Sequence, residues 1–108
     1  MATDNQTNEN KKIIVKIDPE VAGLIPAFLK NRNADVQLML ETLKKDDYVI
    51  IERTGHGMKG AGSGFGFDAI TEIGAHIEKA AKQKDTGEIK RWIDELANYL
   101  ERLEVTYE

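Results

Sequence analysis

Residues 48–60 read Tyr48-Val49-Ile50-Ile51-Glu52-Arg53-Thr54-Gly55-His56-Gly57-Met58-Lys59-Gly60. Taken alone, Tyr48-Val49-Ile50-Ile51 is β-branched and aromatic, the composition of a strand. Gly55 to Gly60 then spell Gly-x-Gly-x-x-Gly, the pattern of a turn that cradles a dinucleotide pyrophosphate. That motif works only inside a β-α-β unit whose second parallel strand ends in an acid about 20 residues further on. The residues that follow here run as helix, turn and helix. A phosphate-binding P-loop fails too, because Gly60-Ala61 follows Lys59 where Ser or Thr is required. The only strand partner for residues 48–51 would be Ile13 to Ile17, and a lone two-stranded pair is marginal. The segment is therefore read as helix, from about Asp47 through Lys59 and into the glycines.

Working outward, the flanks carry the same helical period. Asp18-Pro19-Glu20 is a helix start: Asp can cap, Pro suits the first helical position and Glu favours the positive end of the dipole. Val21, Leu24, Ile25 and Phe28 follow at helical spacing, and Pro26 should kink or divide this first helix. Asn33 is expected to cap a second helix with Val36, Met39, Leu40 and Leu43 on its buried stripe. After the break at Gly64-Phe65-Gly66, Phe67, Ile70, Ile73, Ile77 and Ala80 mark another helix. Asp85-Thr86-Gly87 is a turn, and Ile89, Trp92, Ile93, Leu96, Leu100 and Leu103 give the last and clearest stripe. The expected fold is all-α: an antiparallel up-and-down four-helix bundle with an additional short N-terminal helix, over residues 17–108. Residues 1–16 are expected to be a disordered or extended tail, the first ten being polar with only Met1 and Ala2 apolar.

Composition narrows the function. With 108 residues there is room for one domain. The absence of Cys excludes disulfides and thiolate metal sites. A net charge of −4 argues against nucleic acid, where Lys and Arg must neutralise phosphates. No apolar run is long enough to cross a bilayer, and no signal-like series opens the chain, so a cytoplasmic location is expected.

The stretch from Gly55 to Gly66 holds six of the nine glycines. Each Gly inside a helix costs about 1 kcal/mol relative to Ala, so the stretch must use the missing side chains. On a helical wheel with Ile51 at the buried centre, Gly55 and Met58 fall within about 40° of it. His56 falls about 140° away, beside Val49, Glu52, Lys59, Gly60 and Ser63. A solvent-facing neutral imidazole is a nitrogen nucleophile. A phosphoryl group on its Nε2 would add nearly two negative charges, which Lys59 three residues on could partly offset. Gly60, four residues on, leaves a bare patch over the ring. Phosphoryl transfer needs positioning and charge stabilisation more than acid–base machinery.

His56-Gly57-Met58-Lys59-Gly60 resembles the histidine-phosphotransfer (HPt) family pattern of His, two variable residues, then Lys-Gly. Phe65-Gly66 falls where that family usually has an apolar residue followed by Gly, ten residues past the His. Ile17-Asp18-Pro19-Glu20, Phe28 to Arg32, and Ile70, Ile73 and Ile77-Glu78 continue the likeness over residues 17–105. Gly57 and Gly62 depart from it, since helix formers are commoner there, and Glu78 stands where some members place a Gln near the His. The resemblance implies a four-helix bundle that relays phosphate between receiver-domain aspartates without autonomous kinase activity. It implies His56 as phosphoacceptor, Lys59 as charge partner and Gly60 as clearance. The implied partners are response-regulator receiver domains and a hybrid sensor histidine kinase. No cofactor is expected on this chain, Mg²⁺ belonging to the receiver, and the protein is expected to be a monomer.

Val49 lies two turns before His56 on the same side, and with Glu52 and Ser63 it is a candidate docking patch. Leu38 is also off its helix's apolar stripe. His76 has no companions like those of His56 and is read as an ordinary surface residue. The two His are 20 residues apart without local ligand spacing, which argues against a metal site. Trp92, Tyr99 and Phe28 are read as core. The rival function is a helical adaptor that keeps the fold without carrying phosphate, and intact His56, Lys59 and Gly60 weigh against it.

Overall fold

A computed structural model describes residues 11–108. The expected disordered tail over residues 1–10 lies outside the described residues. Four α-helices follow a short strand and a 3-10 turn: β1 (Ile13–Ile17), the turn Pro19–Leu24, α1 (Ile25–Lys44), α2 (Tyr48–Gly62), α3 (Asp68–Lys82), α4 (Thr86–Arg102) and β2 (Leu103–Tyr107). A second 3-10 turn, Ser63–Phe65, joins α2 to α3. The principal helix contacts run around a ring, α1 on α2, α2 on α3, α3 on α4 and α4 back on α1. The all-α expectation is met, and no helix among the described residues is long and apolar enough to cross a membrane.

The disputed tetrapeptide is helical because its burial has a period of three to four. Ile51, Gly55 and Met58 are buried in one line, Tyr48 is half-buried at its head, and Val49 faces out. Alternate burial, as a strand requires, is absent. Asp47 starts the helix, its Oδ1 accepting the N–H of Ile50 at 3.3 Å. The Gly-x-Gly-x-x-Gly sequence therefore lies wholly within α2 and forms no loop.

Three expectations need correction. Asn33 caps nothing: it sits inside the unbroken α1, where its Nδ2 donates to the Leu29 carbonyl at 3.0 Å. The division falls earlier, where Pro26 occupies the first turn of α1 and its missing N–H costs no hydrogen bond. The short N-terminal helix is thus the 3-10 turn Pro19–Leu24, begun by Asp18 Oδ1 accepting the Glu20 N–H at 2.9 Å. Residues 13–16, placed in the disordered or extended tail, are extended but join the folded unit as most of β1, and Leu103, assigned to the last helix, opens β2. The two strands pair in parallel from Ile13–Leu103 to Ile17–Tyr107. The pair does not stand alone. Ile17 is buried, and Ile13, Val15, Leu103 and Val105 pack against the helical core.

The core is filled by Phe67, Ile25, Met39, Ile51, Met58, Ile70, Ile77, Ile89, Ile93 and Leu96, all essentially inaccessible. Phe28 ties α1 to the α2–α3 link, its ring 4.8 Å from Phe65 and 5.3 Å from Phe67. The chain turns into α3 through Gly66, whose φ of 92° is left-handed and suits Gly.

Candidate functional site

The six glycines of residues 55–66 separate into groups with opposite surroundings. Gly55 and Gly62 face α3. A Cβ on Gly55 would lie 2.8 Å from both the Glu78 N and the Gly74 carbonyl oxygen, and one on Gly62 would lie 2.6 Å from the Thr71 N. Gly74 answers from the other helix, where a Cβ would lie 2.6 Å from the Lys59 N. Residue 55 thus lies beside 74 to 78, residue 59 beside 74 and residue 62 beside 71, so α2 and α3 run antiparallel with their backbones in close approach. Gly57, Gly60 and Gly64 form the second group and face open space, with nothing within 4 Å of a built Cβ. Gly66 closes the turn.

That approach brings Glu78 under the imidazole. His56 projects from the middle of α2 with 71% of its side chain exposed, and its Nδ1 lies 3.0 Å from Glu78 Oε2. A carboxylate only accepts hydrogen bonds, so this contact requires the ring proton on Nδ1. In the neutral ring that proton leaves the lone pair on Nε2, the state in which an imidazole is nucleophilic. Lys59 Nζ reaches Glu78 Oε1 at 3.4 Å, and Lys82 Nζ stands 3.7 Å from Oε2. Glu78 is the least exposed member of the group, at 12%. Its burial pushes the carboxyl pKa up, but the His56 hydrogen bond and the Lys59 ammonium outweigh this and hold it below the ordinary Glu value.

The sequence-derived residues gather on one side of α2. His56, Lys59 and Gly60 are adjacent and exposed, Val49 is 57% exposed, and Glu52 is half-buried. Ser63 is exposed where α2 passes into its 3-10 turn, with its N–H donating to Thr71 Oγ1 at 2.7 Å. The residue that sequence reasoning left unassigned is Glu78. Its signal was available only as a position in a family pattern, since 22 residues separate it from His56.

His76 is more engaged than expected of an isolated surface residue. Its ring stacks on Trp92, with centroids 4.1 Å apart and planes 3° from parallel, on the α3–α4 side. Leu38 is exposed, as the wheel placed it. Among the described residues, no three His, Cys, Asp or Glu side chains converge as a metal site requires.

A family model described as the Hpt domain matches residues 23–106. No curated protein and no solved structure matched the chain.

Proposed function

The chain belongs to the Hpt domain family, and from that premise we propose that His56 is its phosphoacceptor in a relay between receiver-domain aspartates. Hpt domains are phosphocarrier modules of two-component phosphorelays and not autonomous enzymes; they work with receiver domains and kinases. The observation that carries the assignment is the contact of His56 Nδ1 with Glu78 Oε2 at 3.0 Å on an otherwise exposed ring. It supports a histidine held in one tautomer with Nε2 open to a partner.

In the forward step the Nε2 lone pair attacks phosphorus of a receiver's aspartyl phosphate. The N–P bond forms as the P–O bond to the aspartate breaks, and the carboxylate leaves with the electron pair. Lys59 offsets charge on the phosphoryl oxygens, and the open space at Gly60 admits the receiver's active site. Mg²⁺ is supplied by the receiver. Val49, Glu52 and Ser63, spaced along the side of α2 that carries His56, are the proposed contact face for the receiver, and a hybrid sensor kinase is the proposed source of phosphate. The protein is expected to act as a monomer in the cytoplasm.

The test is incubation with a ³²P-phosphorylated receiver. The expected product is an acid-labile, base-stable label on this chain, absent from His56→Gln. Label persisting in that variant overturns the assignment, and no label in wild type across a genome's receivers favours the adaptor reading.

A further inference from the structure

We infer that the Glu78 carboxylate, beyond orienting His56, keeps the Nδ1 proton on the ring after phosphorylation and so keeps the phosphoryl group transferable at alkaline pH. The inference rests on His56 being the phosphoacceptor.

The chemistry turns on the leaving group. When a neutral imidazole bearing its proton on Nδ1 takes a phosphoryl group on Nε2, both ring nitrogens are substituted and the ring becomes an imidazolium. In the return step the N–P bond breaks, the electron pair stays on Nε2, and neutral imidazole departs. If the Nδ1 proton is lost to solvent first, the same bond must break to release an imidazolate anion, a far poorer leaving group. Donor competence therefore depends on proton retention at Nδ1.

Nδ1 faces Glu78 Oε2 at 3.0 Å, a distance at which an ionised carboxylate stabilises a cationic ring by charge and hydrogen bond together. Glu78 is 12% exposed, so water competes weakly for it. Its carboxylate is held by ammonium groups from both helices, Lys59 of α2 and Lys82 of α3. Glu52 lies one helical turn before His56 on α2, and α1 brings no ion pair to this carboxylate among the described residues. When Lys59 turns to the phosphoryl oxygens, Lys82 still partners Glu78. A neutral amide in place of Glu78 could not do the same work. It would accept the Nδ1–H bond through its oxygen, but without the charge that favours the imidazolium. Glu78 is thus a positioning residue whose charge has a consequence distinct from its geometry.

The experiment is single-turnover transfer from the phosphorylated chain to one receiver between pH 6 and 9, for wild type, Glu78→Gln and Glu78→Asp. Wild type is expected to hold its rate to higher pH than Glu78→Gln. The Gln variant should fall by about tenfold per pH unit once its ring deprotonates, and recover fully at acid pH. Glu78→Asp, charged but shorter, should lie between them. ¹⁵N chemical shifts of the phosphorylated ring give the proton's release directly, and should show it at higher pH in wild type than in Glu78→Gln. Coincident pH profiles with coincident ring titrations overturn the inference while leaving His56 as acceptor. Label that survives His56→Gln overturns the parent reading instead.

Discussion

Gly55 and Gly74 face each other across the α2–α3 seam so closely that a Cβ on either would come within 2.8 Å of the other's carbonyl oxygen. Backbone cannot yield as a flexible side-chain end can. Ala at either position is expected to force the helices apart, at a cost of about 1–3 kcal/mol. Gly57→Ala meets open space and should instead gain up to about 1 kcal/mol of helix propensity. Thermal denaturation of the three variants checks both signs. Because the seam carries Glu78 to His56, Gly74→Ala should also disturb the His56 ring resonances while Gly57→Ala leaves the pairing with Glu78 intact. Equal stability of Gly74→Ala and wild type would show that the seam is looser than these distances imply.

Replacement of Gly60 by Leu or Gln should block phosphotransfer and leave the fold standing. The position is exposed, with nothing within 4 Å of where a Cβ would stand, so a side chain can begin there without displacing a neighbouring element. It does meet whatever approaches His56, because residues four apart on a helix stand over the same surface. The expected result is an unchanged or slightly raised melting temperature with transfer from a phosphorylated receiver reduced to a small fraction. Unchanged transfer in Gly60→Leu would remove clearance as the reason for this glycine.

Legibility differed by element for physical reasons. The four helices were readable because each buries one stripe at a period of three to four, and Tyr48–Ile51 was resolved as helix by its flanks despite strand-like composition. Asn33 misled because an Asn side chain that can cap a helix can also donate to the carbonyl four residues back inside one, as it does to Leu29. The β1–β2 pair was missed because its partners are 90 residues apart, Ile13 against Leu103, and pairing at that separation leaves no local pattern. His56, Lys59 and Gly60 were visible together because they share one turn of one helix. Glu78 comes from the neighbouring helix, and only the antiparallel approach through Gly55 and Gly74 places it. The glycines announced close contact, but not that Gly55 and Gly62 serve the seam while Gly57, Gly60 and Gly64 keep the outer face bare.

The depressed pKa of Glu78 makes a pH-dependent contribution to stability with a definite sign. A carboxylate whose folded pKa lies below its unfolded value of about 4.5 stabilises the fold above that value. The contribution is lost as pH falls through the lower, folded pKa. The stability difference between wild type and Glu78→Gln should therefore be larger at pH 6 than at pH 3, with wild type the more stable at pH 6. Urea denaturation at the two pH values checks it. A difference that grows on acidification contradicts the pairing of Glu78 with His56 and Lys59.

Lys59 should affect rate and phospho-state lifetime without being indispensable. At rest its ammonium lies 3.4 Å from Glu78 Oε1 with half of the side chain exposed, a setting in which an ion pair is worth about 0–1 kcal/mol. A phosphoryl group on Nε2 offers more charge than a carboxylate that Lys82 also partners, so Lys59 is free to change sides. A docked receiver would exclude water and lower the local dielectric, which strengthens that interaction when transfer occurs. Lys59→Ala is thus expected to keep His56 as an acceptor and to slow transfer by a modest factor, more visibly at low salt where screening is weak. Lys59→Arg keeps the charge but changes reach and geometry, and should fall between wild type and Ala. The measurement is single-turnover transfer from one phosphorylated receiver to each of the three proteins at two ionic strengths, with phosphohistidine lifetimes taken in parallel. Equal rates and equal lifetimes for Ala and wild type at both ionic strengths would reduce Lys59 to a surface partner of Glu78.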